Sequence, residues 1–361
     1  MRVLVTGSEG YIGSVLMPLL ASAGHDPVGL DTGLYRGCDL GEPQVEWPTI
    51  RRDIRDVTPA DIAGFEAVVH LAALSNDPLG QLDAERTYDV NYRASVRLAN
   101  AAKAAGATRF LFSSSCSLYG AAGEAPVDET AAFNPVTAYG ESKILTEREV
   151  GKLADDTFSP VYLRNATAYG VSPRLRGDIV VNNLVGWAFC TGEVRLQSDG
   201  SPWRPLVHVR DICQAFIEIL AAPREAIHGE AFNVGRDEDN LQIRTIAELI
   251  ERALPGSRIT FAAGASADKR DYRVAFGKIR ERIPSFRPQW TVADGVVELA
   301  EAYRATGLRL EDLTGPRFTR LARIEELLAS GTIDGDLRPI DTDGSSADPD
   351  RRAVAAETVG G

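Results

Sequence analysis

The sequence predicts an α/β protein: a doubly wound parallel sheet joined to a smaller, discontinuous α/β lobe. Three observations lead there. Through the first 165 residues, short β-rich runs alternate with amphipathic helical stretches, the pattern of parallel strands joined by crossover helices. A segment with three glycines follows the first run at once and opens the first helical stretch. The chain has 361 residues with 44% apolar content, enough for two ordinary domains or one large domain with an appendage.

Taken in order, the expected strands are residues 2–6, 27–31, 49–52, 67–71, 109–113 and 161–164. Between the first two, Ile12, Val15, Leu16, Leu19, Leu20 and Ala23 recur at helical spacing, with Gly24 as a natural left-handed cap. Pro18 sits inside this helix, where a kink is expected. Val90, Ala94, Leu98, Ala101 and Ala105 mark a second helix ending at Gly106, and a third starts after Asn134-Pro135 and carries Tyr139 to Leu153. Beyond residue 164 the pattern loosens into a helix near 179–191, strands at 194–197 and 202–209, and helices at 243–254 and 292–305. The division that follows is a first domain over 1–165, to which 207–235 return, and a smaller lobe from 166–206 and 236–330. Residues 334–361 hold few large aliphatic side chains, too few to offset the entropy of ordering, and are expected to be a disordered tail.

Lys and Arg total 39 against 51 Asp and Glu, a net charge of −12. That balance disfavours nucleic acid and anionic bilayers as partners. No apolar run is long enough to span a membrane, and Met1 leads directly into the first strand without a signal-like segment, so a cytoplasmic protein is expected. Cys38, Cys116, Cys190 and Cys213 fit neither a zinc pattern nor a disulfide scaffold. They are expected to be reduced thiols, and no metal site is expected.

The glycine segment, Gly7-Ser8-Glu9-Gly10-Tyr11-Ile12-Gly13, joins a strand to a helix. Such a turn needs missing Cβ atoms, and the helix start presents free N–H groups to a diphosphate, which makes the sheet Rossmann-like and the ligand a dinucleotide. Asp31 closes the second strand, where a carboxylate accepts both ribose hydroxyls and repels a 2′-phosphate, favouring NAD. Asp53-Ile54, after the third strand, is placed for an adenine edge.

In Tyr139-Gly140-Glu141-Ser142-Lys143 a phenol and an ammonium lie four residues apart on one helical face. A neighbouring cation favours the phenolate, which then exchanges a proton with a substrate hydroxyl. The run from Phe112 through Ser113, Ser114, Ser115, Cys116 and Ser117 to Gly120 ends a strand at the carboxyl edge of the sheet, the usual place for ligands. Ser115 is the hydroxyl expected to hydrogen-bond the reacting oxygen. The other serines either act there or satisfy turn backbone.

Together with His70-Leu71-Ala72-Ala73 and the stretch from Pro202 to Asp211, these motifs resemble the extended short-chain dehydrogenase/reductase superfamily, specifically its NAD-dependent epimerase/dehydratase family acting on nucleotide sugars. The resemblance covers roughly residues 1–310. It implies Tyr139 as general acid/base, Lys143 as the cation that lowers its pKa and holds the nicotinamide ribose, and Ser115 as hydroxyl partner. It further implies cofactor contacts from Gly7, Gly10, Tyr11, Ile12, Gly13, Asp31, Asp53, Ile54, Leu71, Ala72, Ala73 and Asn91. Arg204, Asn182 or Asn183, and Arg270 or Arg273 become the expected contacts to a nucleotide-diphosphate sugar. Homodimers built from the helices near 84–105 and 139–153 are also implied.

Departures from the family pattern bear on the reaction. Dehydratases that resemble this family carry an acid pair directly after the hydroxyl matching Ser115; here those positions are Cys116 and Ser117. A C4 epimerase needs neither extra acid nor extra base, so epimerisation through a transient 4-keto sugar is the expected activity. Cys116 has two readings: a buried thiol, or a thiolate base for C5, which would make the protein a dehydratase or a carbon-acid epimerase. A net 4-ketoreductase and a non-catalytic NAD-binding regulatory protein are the remaining alternatives. Thr167 stands where the family has an asparagine, and His208 is a weak candidate base.

Overall fold

The computed structural model describes residues 1–340 except 44, 76–83, 121, 122, 124 and 263–270. Arg270 and the tail beyond residue 340 therefore lie outside the described residues. Seven strands form the main sheet: β1 (Arg2–Thr6), β2 (Asp26–Asp31), β3 (Thr49–Arg51), β4 (Ala67–His70), β5 (Arg109–Ser115), β6 (Ser159–Asn165) and, after an excursion through β7 (Thr167–Tyr169), β8 (Glu193–Leu196) and β9 (Trp203–His208), β10 (Ala231–Val234). The order is β10-β6-β5-β4-β1-β2-β3, with every pairing parallel.

Strand order reverses at β1. The chain leaves it towards β2 and β3, then returns to β4 on its other side, which opens a crevice beyond the carboxyl ends of β1 and β4. Both faces of the sheet are covered, and alternation along each strand distributes the apolar side chains. Val3, Val5, Val69 and Leu111 join one core, while Leu4, Val68, Phe110 and Phe112 join the other.

A second body of structure follows β6. β7 pairs parallel to β9, which pairs antiparallel to β11 (Asn240–Gln242), and β8 pairs with β12 (Arg258–Phe261). Helices Val180–Thr191, Ile243–Ala253 and Val292–Thr306 close over their own core, in which Leu184, Val185, Ile246, Ile250, Val296, Leu299 and Tyr303 are buried. β7, β11 and β12 are too short to leave a periodic signature in the sequence. The helix Gly13–Ser22 runs unbroken through Pro18.

The expected tail departs from its boundary. Residues 334–340 are ordered: Ile333 pairs with Pro339, Asp334 accepts the N–H groups of Asp336 and Arg338, and Leu337 is buried with Leu74, Ile324, Leu327 and Ile333. One aliphatic side chain and local hydrogen bonds suffice because the segment lies on an existing surface and need not build its own core.

Beneath the crevice lies a buried ion pair. Arg164 of β6 meets Glu147 at 2.7 Å, Glu147 accepts the Ser114 hydroxyl at 2.5 Å, and Arg164 donates to the Tyr119 hydroxyl, which donates to Asn233. Removing one member strands the other without water. Glu147→Ala is expected to cost about 3–5 kcal/mol of stability, read as a lowered urea midpoint with an unchanged denaturant slope.

Candidate active site

A cleft of about 1060 Å³ follows the carboxyl edge of the sheet and continues beneath the second body. That size lies at the upper end for small-molecule sites. One wall is the glycine turn. Gly7 has φ +71°, and a Cβ there would fall 2.7 Å from the Ala72 nitrogen. A Cβ on Gly13 would collide with the Gly7 carbonyl. Only glycine lets the turn approach the loop after β4 so closely. Gly7, Gly10, Tyr11, Ile12, Gly13, Leu71, Ala72 and Ala73 all line the cleft.

At the end beside β2, the Asp31 carboxylate accepts the Gly33 N–H at 2.8 Å and the Glu9 N–H at 3.0 Å. Burial pushes this carboxyl above its ordinary range, and the two backbone bonds oppose that shift. Each oxygen retains lone-pair capacity towards the cleft. Asp53 and Ile54 line the same end. The Asp53 carboxylate is committed to Arg55, at 2.6 and 3.0 Å, and leaves Ile54 as the apolar surface.

At the other end, β5 delivers Ser115, which accepts the Ser117 N–H and starts a short turn over Cys116–Tyr119. The helix Ala138–Gly151 is capped by Thr137 and presents Tyr139 and Lys143 one turn apart. Ser115, Tyr139 and Lys143 line the cleft together. The Lys143 ammonium donates to the Ser113 carbonyl at 2.7 Å, lies 4.5 Å from the Phe112 ring centroid and 5.4 Å from that of Tyr139. Burial lowers its pKa to about 7, partly offset by Glu147.

Several expected residues stand elsewhere. Asn91 does not line the cleft. Its side chain accepts the Leu74 N–H at 2.7 Å and donates to the Leu74 carbonyl at 2.9 Å, so it fixes the loop after β4 from behind. A π-helical turn, Asp89–Arg93, frees the Asn91 carbonyl for Ser95 and Thr146. Asn182 is fully buried, holding both backbone groups of Gly170, while its neighbour Asn183 faces the cleft. The Cys116 thiol is fully buried, points to the Arg164 carbonyl, and burial pushes its pKa well up, the opposite of what a base requires. His208 pairs with Glu298 at 2.9 Å and stacks on Trp290, away from the cleft. His70 bridges Thr6 and Ser95, and burial lowers its pKa to about 3.

Arg204 lines the cleft, and Arg273 covers the Trp203 ring at 4.9 Å. The structure adds residues to which the motifs gave no role. Asn165 lines the cleft with its amide donating to Ser113 and its buried carbonyl oxygen unpartnered. Thr167, Arg176, Asp178 and Arg195 line it too, with Arg176 and Asp178 paired at 2.8 Å. Asn165 adjoins the departure at Thr167, the one sequence signal that pointed to this wall.

The NAD dependent epimerase/dehydratase family model matches residues 3–235. A UDP-glucose 4-epimerase of Mycolicibacterium smegmatis is 29% identical over 330 residues, covering 84% of this chain and 99% of that protein. The solved structure of MoeE5 with UDP-glucuronic acid and NAD is similar at a TM-score of 0.74 and 25% identity, covering 85% of this chain and 100% of that one. A UDP-glucose 4-epimerase of Thermotoga maritima shares the fold at a TM-score of 0.74 and 23% identity, again covering 85% of this chain and 100% of that one.

Lys143 yields a pH test. Its native pKa of about 7 lies below the ordinary value of 10.5. Between those values the unfolded chain holds the proton and the native chain does not, so stability rises with pH across that window and is lost as pH falls towards 7. Lys143→Met removes this slope. In ligand-free protein, the stability difference between variant and wild type is expected to shift in favour of wild type as pH rises from about 7 to about 10, measured by denaturant unfolding.

Proposed function

The chain belongs to the NAD dependent epimerase/dehydratase family, and we propose that it inverts C4 of a nucleotide-diphosphate sugar through a transient 4-keto form. The site fits NAD: the glycine turn leaves room for a diphosphate against backbone N–H groups, and Asp31 would offer carboxylate acceptors to the adenosine ribose. When bound, NAD supplies reversible hydride acceptance.

The chain's own residues do the rest. Tyr139 takes the C4 hydroxyl proton and returns it to the new epimer, Lys143 favours its phenolate, and Ser115 hydrogen-bonds the reacting oxygen. Arg204 and Asn183 hold the substrate's diphosphate; a planar guanidinium suits that anion. The observation that carries the reading is what surrounds the proton-transfer set. Among the described residues lining the cleft, the carboxylates are Asp31, Asp53 and Asp178. Asp53 and Asp178 are tied to arginines, and Asp31 sits at the ribose end. With Cys116 buried, the extra acid and base that elimination requires are missing from this set, and C4 inversion needs neither. Similarity to proteins named UDP-glucose 4-epimerase supports the same choice. A cytoplasmic homodimer assembled through the helices near 84–105 and 139–153 completes the reading, on the support of the family resemblance.

Incubation with UDP-, dTDP-, GDP-, CDP- and ADP-sugars in deuterated water tests it. One of them is expected to give its C4 epimer without deuterium at C5 and without net change in NADH. Deuterium at C5 would make the protein a dehydratase, and stoichiometric NADH loss a ketoreductase. Tyr139→Phe is expected to lower kcat by about 10²–10⁴-fold while the variant still binds NAD by calorimetry.

A further inference from the structure

The cleft has a wall that the family match does not reach. Beyond residue 235, the matched boundary, a helix at Arg320–Ala329 and the turn that follows it return to the first domain and line the cleft with Thr319, Arg320, Leu321 and Leu337. Two of these side chains, Arg320 and Leu337, combine burial with an unusual feature.

Arg320 is only 4% exposed, yet among the described residues its guanidinium makes no ion pair. Its Nη2 donates to the Arg174 carbonyl at 3.1 Å and its plane lies 3.8 Å above the Tyr35 ring. Arg176 stands nearby in the same wall, already paired with Asp178. The buried Arg320 and the partly buried Arg176 thus share the Asp178 carboxylate, which leaves an excess of positive charge in this wall. Burial, with Arg176 beside it, lowers the pKa of Arg320, and Tyr35 and Asp178 oppose the shift. The loop that carries Tyr35 leads directly from Asp31.

Leu337 is the one non-glycine residue among those described with positive φ, at +59°. A leucine there is strained, and the surroundings hold it. Asp334 accepts the N–H of Arg338 and Leu337 donates to the Asp334 carbonyl, Arg338 pairs with Asp56, and Arg55 donates to the Asp336 carbonyl. The side chain is thereby fixed among Leu34, Leu74 and Val90, which also line the cleft, beside Ile54. A strained residue held so firmly at a cleft wall points to a ligand surface.

We propose that this C-terminal segment is part of the dinucleotide site: Arg320 binds the anionic diphosphate and Leu337 covers the adenine end. The proposal rests on the assignment of the cleft to NAD. A wall over the adenosine half of the dinucleotide slows its release.

Binding measurements test it without reference to turnover. Arg320→Gln is expected to lose about 10- to 100-fold in affinity for NAD and for ADP-ribose, with adenosine affinity unchanged, by calorimetry. Arg320→Lys, which keeps the charge, recovers part of that loss. Leu337→Gly removes the side chain and relieves the positive φ together, so the loss of apolar packing is offset in part, and in the folded variant NAD release becomes several-fold faster in stopped flow. Wild-type affinity in folded Arg320→Gln together with wild-type release in folded Leu337→Gly would overturn the proposal while leaving the NAD assignment intact. Preference of the wild type for NADP would move Arg320 to a 2′-phosphate and overturn it also. Failure of the wild type to bind either nucleotide removes the assignment beneath it.

Discussion

The site depends on a single buried contact, the Lys143 ammonium against the Ser113 carbonyl. It ties the helix that carries Tyr139 to the end of β5 that carries Ser115, so the phenol, the ammonium and the hydroxyl reach the same cleft by way of one hydrogen bond. Burial penalises the charge that the contact requires. The Phe112 and Tyr139 ring faces and the Glu147 carboxylate behind return part of that cost. Glu147 is itself held by Arg164 and Ser114. The ion pair under the sheet edge therefore serves the cleft above it, which accounts for a buried pair where apolar packing would be the simpler solution.

The sheet and the phosphate turn were legible because both are local. Alternating apolar runs specify strands buried on two faces, and three glycines between a strand and a helix specify a turn that admits no Cβ. The ends of β5 and the spacing of Tyr139 and Lys143 were equally visible, since strand termini and helical turns are short-range properties. Side-chain direction was not. Asn182 and Asn183 differ by one helical step of about 100°, and sequence alone left both open; the structure turns the first into the core and the second to the cleft. Asn91 and Cys116 sit next to the chemistry in sequence yet face away from it, because a π-helical turn and a tight turn rotate them behind the wall.

Contacts made across long separations left no trace in the motifs. Arg320 and Leu337 meet residues near Tyr35 and Leu74 some 260 to 290 positions earlier, and nothing periodic links such distant segments. Composition misled in the same region. Residues 334–340 look like a polar tail, but an aspartate that caps its own turn and one leucine are enough when a formed surface is already waiting.

Charge distribution draws these pieces together. The chain carries a net −12, and a uniformly acidic surface would repel a dinucleotide and a sugar diphosphate alike. Within the cleft the balance is reversed: Arg52, Arg55, Arg176, Arg195, Arg204 and Arg320 line it against Asp31, Asp53 and Asp178. Asp31 has its oxygens held by backbone N–H groups and not by a cation. Its charge thus remains available to hydroxyls and hostile to phosphate. On the proposed assignment, the same cleft attracts two anionic ligands and still rejects an additional phosphate at one end, because its arginines favour diphosphates while Asp31 faces the ribose.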